Sequence, residues 1–138
     1  MGKKVRIKVR GIGETEEEIT TVTEGLMVYK EPFYYVSYEE KLDRESDRQS
    51  KTVLRFSDGQ LRVTRKGEVE SVLEFIEGSI HNSLYRTELG NFEVALSTQR
   101  LEIDLDAELL HVKADYRIGL NSMPSVKGKL EICIEDIK

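Results

Sequence analysis

Two histidines, two prolines and a single cysteine, Cys133, are all that the 138 residues contain of those types. One thiol cannot close an internal disulfide, and with two imidazoles it cannot complete an ordinary four-ligand zinc site of cysteine and histidine. Disulfide scaffolds and structural zinc are therefore excluded. No stretch approaches the roughly 20 apolar residues of a membrane helix, and the first residues lack the apolar core of a signal peptide. A cytoplasmic protein without a membrane partner is the expectation. Pro- or Ser-rich linkers and internal repeats are missing too, so residues 1–138 read as one domain. Neither sign of charge dominates: 21 basic residues face 26 acidic ones, and 38% of the chain is hydrophobic. That balance excludes strong disorder. A compact chain of this size exposes roughly 7,400 Å² of the about 23,000 Å² available when extended, enough burial for one real core.

What is present is alternation. Val5, Ile7 and Val9 alternate with Lys4, Arg6, Lys8 and Arg10, and Leu130, Ile132 and Ile134 alternate with Lys129, Glu131, Cys133 and Glu135. Over 110–118, Leu110, Val112, Ala114, Tyr116 and Ile118 share one face while His111, Lys113, Asp115 and Arg117 share the other. A period of two belongs to half-buried strands. Further strands are predicted at 18–29, 33–42, 51–57, 60–66, 69–76, 80–87 and 91–98, about ten in all. Val69, Val72, Leu73 and Ile76 also fit a short amphipathic helix. Turn chemistry at Ser57-Asp58-Gly59-Gln60, Arg65-Lys66-Gly67-Glu68, Leu89-Gly90-Asn91 and Asn121-Ser122-Met123-Pro124 makes neighbouring strands antiparallel. The charged stretch from Asp43 to Ser50 reads as a longer solvated hairpin end. The apolar phase is even at Phe92, Val94 and Leu96 but odd at Leu101, Ile103 and Leu105, which predicts a bulge near Gln99-Arg100. An all-β chain of this kind is expected to form a single antiparallel up-and-down β-barrel of 8–10 strands, with a two-sheet sandwich as the other economical solution.

Polar residues in the inward phase need partners, because an unpaired buried polar group costs on the order of 1–3 kcal/mol. Tyr38 and Glu40 share the phase of Val36, and Arg65 that of Leu61 and Val63. Tyr85 and Thr87 are in phase with each other, Thr98 continues from Leu96, and Tyr116 lies between Val112 and Ile118. An arginine fork, hydroxyls and tyrosines with polar tips suit a small amphiphilic or anionic molecule. Against this stands a purely structural account, in which Arg65 and Glu40 pair and the tyrosines fill the core. The remaining features are weaker. His81 and His111 lie far apart in sequence, and His111 is on a charged face. Asp104 and Asp106 flank Leu105 without further oxygen ligands, so no metal is expected. Cys133 stands between Glu131 and Glu135, which would raise its pKa and make it a poor nucleophile. Gly11-Ile12-Gly13 is not a phosphate loop, because neither a downstream Lys-Ser/Thr pair nor a helical pattern comes after it. The basic stripe from Lys3 to Arg10 is succeeded by Glu14, Glu16, Glu17 and Glu18, so neither nucleic acid nor a cofactor is expected.

Tyr38-Glu39-Glu40 at a strand end, Arg65-Lys66-Gly67 at a turn, Tyr85-Arg86-Thr87-Glu88-Leu89-Gly90, then Thr98 and Tyr116 occur in an order that resembles the YwiB-like proteins. These are an uncharacterised bacterial family of calycin-type, lipocalin-like β-barrels. The resemblance spans nearly the whole chain; it implies one calycin-like barrel and no reaction. Calycin barrels in general often hold small hydrophobic molecules at the mouth, although fold does not fix function. Three functional readings compete. The barrel binds a small molecule through Tyr38, Glu40, Arg65, Tyr85, Thr87, Thr98 and Tyr116. Or it is filled and acts as a structural or interaction module, self-associating through an exposed strand or barrel end. Or it is an enzyme with Glu40 as acid or base and Arg65 stabilising negative charge.

Overall fold

A computed structural model of the chain describes residues 2–13, 17–41, 49–67, 69–105, 109–121 and 123–137, with residues 40, 41, 49 and 109 described in their backbone only. The described residues form β1 (Lys3–Ile12), β2 (Glu18–Lys30), β3 (Phe33–Lys41), β4 (Gln49–Ser57), β5 (Gln60–Gly67), β6 (Ser71–Phe75), β7 (Ile80–Thr87), β8 (Gly90–Leu105), β9 (Leu109–Leu120) and β10 (Val126–Asp136). None is a helix, and among the described residues no helix is long and apolar enough to cross a membrane. Of the sequence expectations, the solvated hairpin end over 43–49 and the positions Glu68, Asp106 and Ser122 lie outside the described residues or side chains.

All ten strands join one antiparallel sheet in the order β6-β5-β4-β3-β2-β1-β10-β9-β8-β7. Sequence neighbours pair throughout except at β6 and β7, and β1 pairs with β10 from Val5↔Asp136 to Ile12↔Lys129. The result is a nearly closed barrel whose seam falls in the middle of the chain. Among the described residues one backbone bridge spans the seam: Glu70 N–H donates to Arg86 O at 2.9 Å and Arg86 N–H to Glu70 O at 2.8 Å. Beyond it the turn after β6 crosses to β8, where Gly78 N–H donates to Thr98 O and Thr98 N–H to Ser79 O.

Local chemistry explains the elements. Gly59 takes φ 84° in the β4–β5 hairpin, where the Gln60 amide donates to Ser57 Oγ at 3.3 Å. The segment that also suited a helix is strand β6, because its Ser71, Leu73 and Phe75 pair in register with Arg65, Val63 and Leu61 of β5. The phase change near Gln99 is a bulge inside one long strand. Val94, Leu96 and Thr98 face Leu120, Ile118 and Tyr116, and after a register shift between Thr98 and Arg100 the inward set becomes Leu101 and Ile103, with Leu105 in the same phase but exposed at the strand end. Gly25 is a position of close approach in β2: a Cβ there would collide with the Ser37 carbonyl and the Ile7 side chain. Pairing with β3 accordingly starts only at Leu26↔Ser37.

The middle of the barrel is packed rather than hollow. Val5, Ile7, Val36, Leu54, Phe56, Leu61, Leu96, Val112, Ile132 and Ile134 are all at most 2% exposed. Each such side chain contributes roughly 1.5–3 kcal/mol on full burial. The outer wall is charged, with Lys3–Asp136, Arg6–Glu135 and Arg10–Glu18 ion pairs across β1, β2 and β10. Exposed pairs of this kind add little stability.

Candidate functional site at the barrel mouth

A polar row crosses the inside of four successive strands. Tyr38 of β3 is opposite Thr52 of β4, Thr52 is opposite Arg65 of β5, and Arg65 is opposite Ser71 of β6. Tyr38, Thr52 and Ser71 are buried, as is Ser50 on the neighbouring rung. Among the described residues the hydroxyls of Ser50 and Thr52 have no hydrogen-bond partner. The expected pairing of Glu40 with Arg65 lies outside the described residues, since the Glu40 side chain is not among them. Among the described residues Arg65 forms no ion pair. It is half-buried and lines a cleft of about 260 Å³ at the seam together with Lys66, Glu70, Ser71 and Arg86. Three cations against one carboxylate give this cleft an anion-attracting lining.

One position along each strand from the Glu70↔Arg86 bridge stand Ser71 and Tyr85. Tyr85 belongs to a second space, an almost wholly apolar pocket of about 480 Å³ lined by Leu73, Val94, Ile118, Leu120 and Met123. Ser71 lines the first space, opposes Arg65 and lies two residues before Leu73 of the second on the same face of β6. The pocket rim is held by Asn121, which adopts φ 48°. Its side-chain Oδ1 accepts Glu93 N–H at 2.8 Å and its own N–H donates to Glu93 O at 2.8 Å. In the same turn Met123 N–H donates to Leu120 O at 2.9 Å.

The other sequence-selected residues are distributed. Thr98, 1% exposed with a hydroxyl unpartnered among the described residues, opposes Tyr116 one rung deeper than the pocket's Ile118. Tyr116 packs edge-on against Phe75 at 5.6 Å and over Gly128, where a Cβ would come within 2.5 Å of the ring. Burial pushes its phenol above the ordinary tyrosine range. Thr87 is engaged locally, its hydroxyl accepting Leu89 N–H and donating to Gly90 O, both at 3.1 Å. The structure thus gathers Arg65 with Ser71 at the seam, Tyr85 at the mouth, and Thr98 with Tyr116 beneath it; Tyr38 lies across the polar row.

A family model described as a domain of unknown function, DUF1934, matches residues 4–132. The chain belongs to the DUF1934 family. A curated relative, the uncharacterised β-barrel protein YwiB of Bacillus subtilis (strain 168), is 30% identical over 101 residues, covering 73% of this chain and 69% of that one. The crystal structure of the ywiB protein from Bacillus subtilis shares the fold, with a TM-score of 0.86 over 99% of this chain and 94% of that one at 24% identity.

Several mouth residues of this DUF1934 barrel were not singled out by sequence reasoning. Leu73, Leu120 and Met123 look like ordinary strand and turn residues until the β6–β7 seam is known, and only the Asn121-Ser122-Met123-Pro124 turn signalled that end of the barrel. On the outer wall, strand pairing also unites residues that the sequence presents separately. Cys133 opposes His111, and His111 Nε2 lies 3.4 Å from Glu131 Oε2. Burial, helped by Glu131 and Glu135 and opposed by Lys8 and Lys113, pushes the Cys133 thiol up. His81 is elsewhere, paired with Leu96 across β7 and β8.

Proposed function

We propose that this DUF1934 member is a cytoplasmic binding module for a small amphiphilic anion, held at the barrel mouth rather than through the packed centre. The observation that carries this reading is the adjacency, through Ser71, of the apolar pocket around Tyr85 to the basic seam around Arg65. The apolar part of the ligand would fill the space among Leu73, Tyr85, Val94 and Ile118, and its anionic group would meet the Arg65 guanidinium, whose planar fork suits carboxylate or phosphate. The resemblance to calycin-type barrels points the same way. The charged outer wall supports an aqueous location, because Lys and Arg facing lipid at mid-bilayer cost about 2–4 kcal/mol each. No reaction is part of this proposal.

Native mass spectrometry of protein purified gently from a bacterial host, compared with the denatured mass, tests it. A reproducible extra mass released on denaturation is expected. Arg65→Ala should lose that mass while melting within a few degrees of the parent. Wild-type protein with no adduct that also takes up no fatty acid or acyl phosphate would overturn the reading. So would equal losses of binding and stability in Arg65→Ala, which mark a structural arginine.

A further inference from the structure

We propose that His111, Glu131 and Cys133 form a binding site for a zinc-like transition metal ion on the outer wall of the barrel, where β9 meets β10. The imidazole nitrogen, a carboxylate oxygen and the thiol sulfur all lie within 4.8 Å of one another. Zinc bonds of about 2.0–2.3 Å hold tetrahedral ligand atoms roughly 3.3–3.8 Å apart, so about 1 Å of side-chain adjustment closes the triad.

The sheet itself builds the arrangement. Cys133 and His111 are a directly opposed pair across β9 and β10, and Glu131 is two residues before Cys133, hence on the same face. Opposed Cβ atoms in an antiparallel pair stand about 4.5–5.5 Å apart, within easy reach of one shared ion. All three residues are half-buried, which limits their rotamer freedom yet leaves a side open to water. Three protein ligands with an open fourth position is the arrangement of non-structural zinc sites. One nitrogen, one oxygen and one sulfur disfavour magnesium and calcium, which take oxygen ligands, and favour zinc and its neighbours in the transition series. The thiol proton passes to solvent when the sulfur coordinates, and no redox step is involved.

The neighbouring cations bear on affinity. Lys113 Nζ and Arg10 Nη1 reach Glu131 at 3.8 and 3.9 Å, and Lys8 opposes Cys133 from β1. Both contacts to Glu131 are long, and the metal replaces them at the carboxylate. The site is accordingly weaker than a closed four-ligand one.

Cobalt(II) is the probe, titrated into the full chain under reducing conditions. A near-ultraviolet thiolate-to-cobalt band at one equivalent is expected, bleached by added zinc and missing in Cys133→Ser. Losing an outer-shell partner costs a metal site about 10- to 100-fold, so His111→Gln and Glu131→Gln should each weaken binding by at least that. Zinc should raise the melting temperature of the wild type and not that of His111→Gln, and melts without metal identify any variant that fails to fold. No thiolate band in the wild type overturns the proposal. A band of unchanged affinity in folded His111→Gln and Glu131→Gln overturns it equally, since it would belong to the cysteine alone.

Discussion

Tyr116 shows how one residue reports its surroundings. Its ring is wedged between Phe75 and Gly128, and burial disfavours the phenolate. The unfolded chain ionises such a phenol near pH 10. With the folded value raised, Tyr116 contributes stability that is fully present below about pH 10 and is lost as pH rises through its folded pKa. Ultraviolet titration of the native protein should therefore contain a late tyrosine component that Tyr116→Phe lacks; a late component left unchanged by that substitution would contradict the assignment. At this scale the sequence was informative wherever alternation alone decides. It placed Tyr38, Arg65, Thr98 and Tyr116 on the inward phase, and the register agrees. It could not show that Thr87 turns its hydroxyl into the β7–β8 loop, because that depends on turn geometry. The ring of donors around Glu131 was equally hidden, since it depends on which residues oppose one another across strands.

The bulge in β8 is the feature of an element that the pattern disclosed most directly. Removing Gln99 joins Thr98 to Arg100 and makes the alternation regular, so Leu101 and Ile103 keep facing inward. Lys113 sits in β9, where the ladder is regular around it. Its removal turns one half of the strand inside out relative to the other. Deletion of Gln99 should therefore leave a folded barrel, destabilised by about 0.5–3 kcal/mol through lost local twist. Deletion of Lys113 should abolish the cooperative melt followed by circular dichroism. Equal damage from both would mean that the bulge sets more than phase. The strand at 71–75 was ambiguous in sequence because a short apolar run fits both periods. Only its partner β5 resolves it.

For the molecule as a whole, the seam is the part that no local pattern announces. Short turns tell which strands are neighbours, but not where the sheet stops closing. Past the Glu70↔Arg86 bridge the ladder between β6 and β7 ends, so among the described residues the N–H groups of Val72 and Leu84, next in the alternation, lack the strand partner that amides of β1 and β10 possess. Amide exchange followed by NMR should be faster at Val72 and Leu84 than at Ile7 and Ile132, and equal protection would show that the seam is shut in solution. The closure at β1 and β10 has the opposite character. It ties together side chains 133 positions apart, as in the Lys3–Asp136 contact. On a translating ribosome β1 emerges early and must wait, with one edge unclaimed, until β10 is free of the exit tunnel. Lys4, Arg6, Lys8 and Arg10 line that waiting strand, and a row of like charges repels a second nascent chain bearing the same row. The basic stripe that solvates the finished wall is thus also a charged edge on β1 during the interval before its most distant partner has been made.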